Sequence, residues 1–161
     1  MSSQVQSAVR SSVARQAILG VAGIGLVGFI VAHLAGNLFI FLGPEAFNAY
    51  AEKLHALGAL LWVARAGLLA IFVAHVYLTA RLWFGNRSAR PQRYAQVRYQ
   101  GDRTFATRSM IYTGALIFLF VFVHLYDFTF ADKEGAKAMV NGENLGLYGV
   151  VWNGFANPLR S

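Results

Sequence analysis

The stretch FIVAHLAGNLFIF, from Phe29 to Phe41, decides the fold predicted for this chain. It lies inside a run from Ala17 to Leu42 that carries no formal charge. Since about 20 apolar residues are enough for an α-helix to cross a bilayer, this run predicts a membrane span. Within it His33 and Asn37 are about one helical turn apart and share a face of the helix. Polar groups at such depth are costly, so this face is expected to meet a protein interior, a partner or a ligand.

The composition of the whole chain indicates an integral membrane protein. Of its 161 residues, 57% are hydrophobic and only 13% are charged, and the mean hydropathy is +0.47. Soluble domains carry about 25% charged residues. The chain has no cysteine, which excludes disulfides, thiolate metal sites and protein-ligated iron–sulfur clusters. No small-residue cleavage site follows the first apolar run, so no removable targeting peptide is expected.

Three apolar runs predict an all-α membrane protein, built as an up-down bundle of transmembrane helices in a single domain over residues 1–161. The spans are expected at about residues 17–42, 57–84 and 109–130. Residues Gly43 to Ala56 are expected to form a short connection. Apolar residues return at Leu145, and the chain stops at Ser161, where a fourth span should begin, so it is expected to be incomplete at its C-terminus.

The basic residues predict the orientation of the chain in the membrane. Seven of its fourteen Lys and Arg lie between Arg81 and Arg108, in one connection between two apolar runs. Short loops rich in Lys and Arg mark the cytoplasmic side, so the N-terminus is expected in the cytoplasm and the third span is expected to end outside. The predicted location is the cell inner membrane. The net charge of +7 is concentrated in this loop, which argues against a nucleic-acid-binding surface.

Each predicted span carries one histidine well inside it, and their depths suggest a function. From the helical rise, His33 and His124 lie about 13 Å and 9 Å from the outer ends of their spans, whereas His75 lies about 13 Å from an inner end. Two imidazoles at one level can bind a haem iron from both sides, and such a haem transfers single electrons. The alternative is that each ring only forms hydrogen bonds to a neighbouring helix.

Further residues are expected around these rings. Small residues near His33, among them Gly36, leave room for a macrocycle, and the side chains expected to pack on its faces are Phe29, Phe120 and Phe128. Arg81 and Arg108, near the inner ends of their spans, can pair with the propionates of a haem bound by His75. Asp127, one turn after His124, is expected to bond a ring or to cap the outer end. In the first connection, Glu45 and Glu52 are expected to be solvated loop acids, with a proton exit as the alternative. His55 is expected to be an ordinary interfacial histidine.

The sequence resembles the cytochrome b membrane anchor of succinate dehydrogenases and fumarate reductases, in the branch with one five-span anchor and two haems. The resemblance rests on HLAGNLFIF at His33 with the GPEAFNAYAEKL that follows, AHVYLTARLW at His75 and FVHLYDF at His124. The order, spacing and placement of these motifs in apolar runs are more specific than any one of them. The sequence departs from the family in lacking the fourth histidine and the last two spans.

The resemblance implies a function and a set of partners. His33 and His124 would bind the outer, distal haem b, and His75 the inner, proximal haem together with a histidine of a fourth span. A flavoprotein and an iron–sulfur subunit would dock on the cytoplasmic side, and a quinone, in this branch often menaquinone, would be the substrate in the membrane. The chain itself would be a non-catalytic electron-transfer subunit. Two alternatives remain: a haem b subunit of another quinone-linked enzyme, such as a hydrogenase or formate dehydrogenase, and a haem-free helical transporter whose histidines relay protons.

Overall fold

Most of the described chain is helical. The computed structural model describes residues 12–89, 104–130, 132 and 134–156. Its helices are α1 (Ser12–Asn37), α2 (Pro44–His55), α3 (Ala59–Ser88), α4 (Phe105–His124) and α5 (Gly146–Ala156). A 3₁₀ turn, Leu38–Leu42, follows α1, and a π-helical turn, Leu125–Thr129, follows α4. Between that turn and α5 lie a 3₁₀ turn, Ala136–Ala138, and a hairpin of β1 (Met139–Val140) and β2 (Glu143–Asn144).

Three segments of the described chain are long and apolar enough to cross a membrane. They are Val13–Leu42, Ala59–Ser88 and Arg108–Thr129. The predicted helical class is therefore confirmed, and helices of sufficient length and apolarity lie where the three spans were predicted, with the second ending four residues later than residue 84. Most large apolar side chains of these helices are exposed in the isolated chain, which is the arrangement required of helices that face lipid.

The connection after the first span is itself a helix. Pro44 begins α2, where its fixed φ suits the first helical turn and its missing N–H leaves no hydrogen bond unmade. Glu45 lies in the first turn and Lys53 in the last, so both charges oppose the helix dipole favourably. His55, expected in a connection or at a helix start, is the last residue of α2.

The described residues divide into two compact units. In the first, formed by residues 12–39 and 52–89, α1 packs against α3. The second contains residues 40–51 together with the described residues from 104 onwards, and in it α5 packs against the hairpin and the turns that precede it. The first unit thus holds His33 and His75, and the second holds His124.

The second unit contains the most buried side chains among the residues described. Phe47 of α2 is 4% exposed, Ala138 is fully buried, and Val150 and Val151 of α5 are 2% and 6% exposed. The hairpin that leads to α5 turns at Asn141 and Gly142, which have φ of 53° and 89°. Positive φ at both positions is the requirement of a two-residue type I′ turn, and Asn-Gly is the dipeptide that adopts it most readily.

Asn48 of α2 holds the start of α5. Its Oδ1 accepts a hydrogen bond from the N–H of Tyr148 at 3.1 Å, and its Nδ2 donates to the carbonyl of Leu145 at 3.0 Å. The first N–H groups of a helix have no partner within the helix, so this distant amide takes the role of a capping side chain. The ring of Phe47 adds an edge contact to Tyr148, with centroids 6.2 Å apart.

We expect Asn48→Ala to loosen α5 by about 2 kcal/mol, because two part-buried hydrogen bonds are lost and their partners are left unpaired. Hydrogen exchange of the amides at 146–151 should then become about 30-fold faster, since 1.4 kcal/mol corresponds to a factor of 10. Asn48→Asp is the matched control, because it keeps the acceptor for Tyr148 and removes only the donor, so its effect should be smaller. Unchanged exchange in Asn48→Ala would show that this amide does not hold α5.

Candidate functional site

His33 lies one turn before the end of α1 and packs against an aromatic ring of the same helix. Its imidazole and the ring of Phe29 are stacked, with centroids 5.3 Å apart and planes inclined by 21°. Asn37 Nδ2 donates to the carbonyl of His33 at 2.8 Å, at the junction of α1 with the 3₁₀ turn. Gly36, between them, is buried. The amide predicted beside His33 therefore bonds to the backbone at the helix end, where carbonyl groups lack regular partners.

His75 of α3 packs closely against α1. A Cβ placed on Gly23 would lie 3.4 Å from His75 Cε1 and 3.8 Å from Nδ1, so the missing side chain at residue 23 makes room for the imidazole. His75 Nδ1 is buried and has no hydrogen-bond partner in the described part of the chain. Buried polar atoms are nearly always paired, so the unpaired ring nitrogen of His75 is an exception among the described residues.

The rings of His33 and His75 belong to different levels of the first unit. Gly23, which contacts His75, precedes His33 by ten residues, a rise of about 15 Å along α1. The two axial ligands of one haem iron lie in line on opposite sides of it, and therefore at one level. Because the two rings lie at levels about 15 Å apart along α1, they do not face one common ligand position.

Gly23 is a site residue that the sequence pattern did not identify. The four-residue spacing of small residues in the first span points to a stripe that includes Gly20 and Gly28. A Cβ on either of these glycines would meet no atom within 4 Å, whereas one on Gly23 would touch the ring of His75. The contact depends on the rotation of α1 against α3, which the spacing of glycines along one helix does not determine.

Gly23→Leu is expected to displace the His75 ring and to destabilise the packing of α1 on α3 by about 1–3 kcal/mol, as overpacking of a close contact usually does. Gly25→Leu is the control, because it makes the same gain in helix propensity at a position where a Cβ meets nothing within 4 Å. The thermal unfolding midpoint in detergent would measure the difference. Equal midpoints for the two variants would show that the Gly23 contact is not needed.

His124, the last residue of α4, lies between two phenylalanines of its own helical segment. Its ring centroid is 5.5 Å from that of Phe120 and 5.2 Å from that of Phe128. Phe128 in turn contacts Phe155 of α5 at 6.2 Å, and a Cβ on Gly154 would come within 2.9 Å of the Phe128 ring. The close approach of α5 at Gly154 thus fixes Phe128, and Phe128 supports the imidazole.

The chain after His124 forms a π-helical turn, which the sequence pattern did not predict. Such turns are rare and often occur at functional sites. Asp127 lies within it and is 8% exposed, the one acidic side chain that is buried in the described ranges. The sequence placed Asp127 at the outer end of a span, bonding a ring or capping the helix. The structure places Asp127 near the end of the third apolar segment and buries it in the turn directly after His124.

The two arginines expected near haem propionates lie on different helices. Arg81 of α3 donates from Nη1 to the hydroxyl of Tyr77 at 2.7 Å. It follows His75 by six residues, which corresponds to about 120° around the helix. Arg108 lies exposed at the start of α4, where its backbone N–H donates to the carbonyl of Thr104 at 3.3 Å. The structure therefore pairs Arg81 with Tyr77.

The three residues predicted to lie in the first connection are all exposed on α2: Glu45, Glu52 and His55.

A haem needs fewer protein ligands than a metal ion that is held by side chains alone. Within the described ranges, no group of three or more His, Cys, Asp or Glu side chains comes together. A haem iron receives four nitrogens from its porphyrin and needs only one or two imidazoles from the protein. Aromatic rings beside His33 and His124 also suit the flat faces of a porphyrin.

No model of a known protein family matches the chain, and comparisons with curated proteins and with solved structures give no match.

Proposed function

We propose that this chain is the haem b-binding membrane anchor of a succinate:quinone oxidoreductase, passing electrons between a cytoplasmic iron–sulfur subunit and a membrane quinone. One observation supports this most: the same arrangement recurs on two apolar helices. In each, a phenylalanine precedes a histidine by four residues and packs against its ring, at 5.3 Å for Phe29 with His33 and at 5.5 Å for Phe120 with His124. The motifs around both histidines are those that carry the resemblance to this family.

In this proposal His33 and His124 are the axial ligands of the distal haem. With both of its protein ligands supplied by neutral imidazoles, the haem would have no position left for oxygen. Bound haem b would supply one-electron transfer. The protein side chains orient and shield the site: Asn37 fixes the backbone at His33, and Phe128, supported by α5, limits the freedom of the His124 ring.

His75 is assigned to a second, proximal haem, with its other axial ligand from a fourth span. The buried and unpaired Nδ1 of His75 supports a role for this ring beyond packing. A ligating histidine normally donates a hydrogen bond from its second ring nitrogen to an acceptor, which fixes its tautomer. The described residues provide no such acceptor, so the proposal requires one from outside them.

The proposed placement in the membrane follows from charge. The basic connection Arg81 to Arg108 would lie on the cytoplasmic side of the inner membrane together with the N-terminus, and the spans would run up and down. The flavoprotein and iron–sulfur subunits would dock on this side. A quinone, of the menaquinone type in this branch, would accept or donate electrons within the membrane.

The deciding experiment is a visible spectrum of the chain in its native membranes, followed by reduction with succinate. A sharp low-spin band on chemical reduction, its appearance on addition of succinate, and co-purification of a flavoprotein would support the proposal. A haem that hydrogen or formate reduces, but succinate does not, would assign the chain to another quinone-linked enzyme. A folded, colourless protein would favour a haem-free transporter.

A further inference from the structure

One face of α3 forms a shallow groove around Arg81, a residue that donates a hydrogen bond to Tyr77 in the described chain. It is open, and it is lined by residues of this helix alone, Tyr77, Ala80, Arg81, Phe84, Gly85 and Ser88. We name it the Tyr77–Arg81 groove. A Cβ on Gly85 would meet no atom within 4 Å, so the space beside this residue is open. Arg81 lies about 120° around α3 from His75, so the groove is on a different side of the helix from the contact with Gly23.

The guanidinium of Arg81 is held in place at this groove. Its Nη1 donates to the Tyr77 hydroxyl at 2.7 Å, and its central carbon lies 6.0 Å from the centre of the Tyr77 ring. A guanidinium has five N–H donors, and the tyrosine hydroxyl keeps a proton to donate. No carboxylate pairs with Arg81 in the described part of the chain, and no acidic residue lines the groove. The groove therefore offers several oriented donors and an uncompensated positive charge.

The position of Arg81 along α3 limits which kinds of anionic ligand can contact its guanidinium. Residues 66–80 carry no formal charge, and Arg81 is the first charge after them, so it lies where the hydrocarbon region meets the headgroups. Trp83, beside it, is an aromatic residue typical of that boundary, and its ring packs edge-on against Phe84 at 4.7 Å. A ligand at this level has an anionic group in the interface and apolar chains beside Ala80 and Phe84.

We propose that the Tyr77–Arg81 groove binds the headgroup phosphate of an anionic phospholipid. Phosphate oxygens accept charge-assisted bonds from the guanidinium and a further bond from the Tyr77 hydroxyl, and the acyl chains lie along the apolar part of α3. A zwitterionic lipid fits less well, because its ammonium or choline group adds positive charge beside Arg81. The site goes beyond the proposed electron transfer and does not depend on haem.

Native mass spectrometry of the full chain, released from nanodiscs that contain equal amounts of phosphatidylglycerol and phosphatidylcholine, tests this site. The wild type is expected to retain phosphatidylglycerol in preference. Arg81→Gln should weaken this retention about fivefold, the effect of one interfacial cation. Tyr77→Phe should weaken it about twofold, because the guanidinium loses the group that orients it. Millimolar inorganic phosphate should not displace the lipid, since the acyl chains contribute to binding.

Arg65→Gln is the matched control. Arg65 also lies over an aromatic ring, that of Trp62 at 5.1 Å, but near the other end of α3 and away from the groove. It should leave phosphatidylglycerol retention unchanged. Equal retention in Arg81→Gln and wild type, an equal loss in Arg65→Gln, or displacement by inorganic phosphate would each overturn the proposal. So would an Arg81→Gln variant with unchanged lipid retention and an altered haem spectrum, which would make Arg81 a propionate partner instead.

Discussion

Replacing either His33 or His124 by alanine is expected to abolish the low-spin haem band of the purified chain. Each substitution removes one of the two proposed axial nitrogens of the distal haem. Loss of a mere hydrogen-bond partner of a metal ligand typically lowers metal affinity about 10- to 100-fold, so loss of a ligand should lower haem content at least as much. The measurement is the reduced-minus-oxidised visible spectrum, normalised to protein.

The other two histidines serve as controls for this experiment. His55→Ala changes an exposed residue at the end of α2 and should leave the band at wild-type intensity. His75→Ala changes a ring that packs against Gly23 about 15 Å along α1 from His33, so the distal haem should remain. Circular dichroism would establish that each variant is still helical. Full band intensity in both His33→Ala and His124→Ala would remove the basis of the proposed ligation.

Gly149→Ala is expected to disrupt the docking of α5, with a destabilisation of about 3 kcal/mol, the upper end of the usual range for overpacking. A Cβ on Gly149 would overlap the carbonyl oxygen of Ala138 and lie 2.7 Å from its carbonyl carbon. This carbonyl accepts a hydrogen bond from the N–H of Leu145 at 3.0 Å. Asn153 Nδ2 donates to the carbonyls of Lys137 and Met139 on either side of it, at 2.9 Å and 2.8 Å. The backbone therefore cannot move away without losing these bonds.

Hydrogen exchange over residues 134–156 measures this effect, and amides of α5 should exchange about 100-fold faster in Gly149→Ala. Because α5 supports Phe128 through Gly154, the environment of His124 should change with it. Gly114→Ala is the control, since a Cβ at that position in α4 meets no atom within 4 Å and the substitution raises helix propensity. Exchange that is equally slow in both variants would contradict the close approach of Gly149 to Ala138.

The predictable part of the candidate site was local. The position of each histidine within an apolar run, and the four-residue spacing of Phe29 from His33 and of Phe120 from His124, can be read from the sequence because residues so spaced are neighbours on a helix. The contact of Gly23 with His75 was not predictable, because it joins residues 52 positions apart in sequence and depends on how α1 and α3 rotate against each other. The turn at Asn141 and Gly142 could have been predicted, because Asn-Gly favours a two-residue hairpin turn. It was missed because the sequence was read for long apolar runs.

The sequence by itself determined that this chain is helical, that three of its segments are long and apolar enough to cross a membrane, and that each of these holds one deep histidine. The length, hydropathy and helical period of a segment depend on its own residues and not on contacts with other parts of the chain. Only the tertiary structure decided that α2 is a helix whose Asn48 holds α5, that a π-helical turn buries Asp127, and that Gly23 makes room for His75. These features arise from side chains that meet across large separations in sequence, where packing and hydrogen-bond satisfaction select the arrangement.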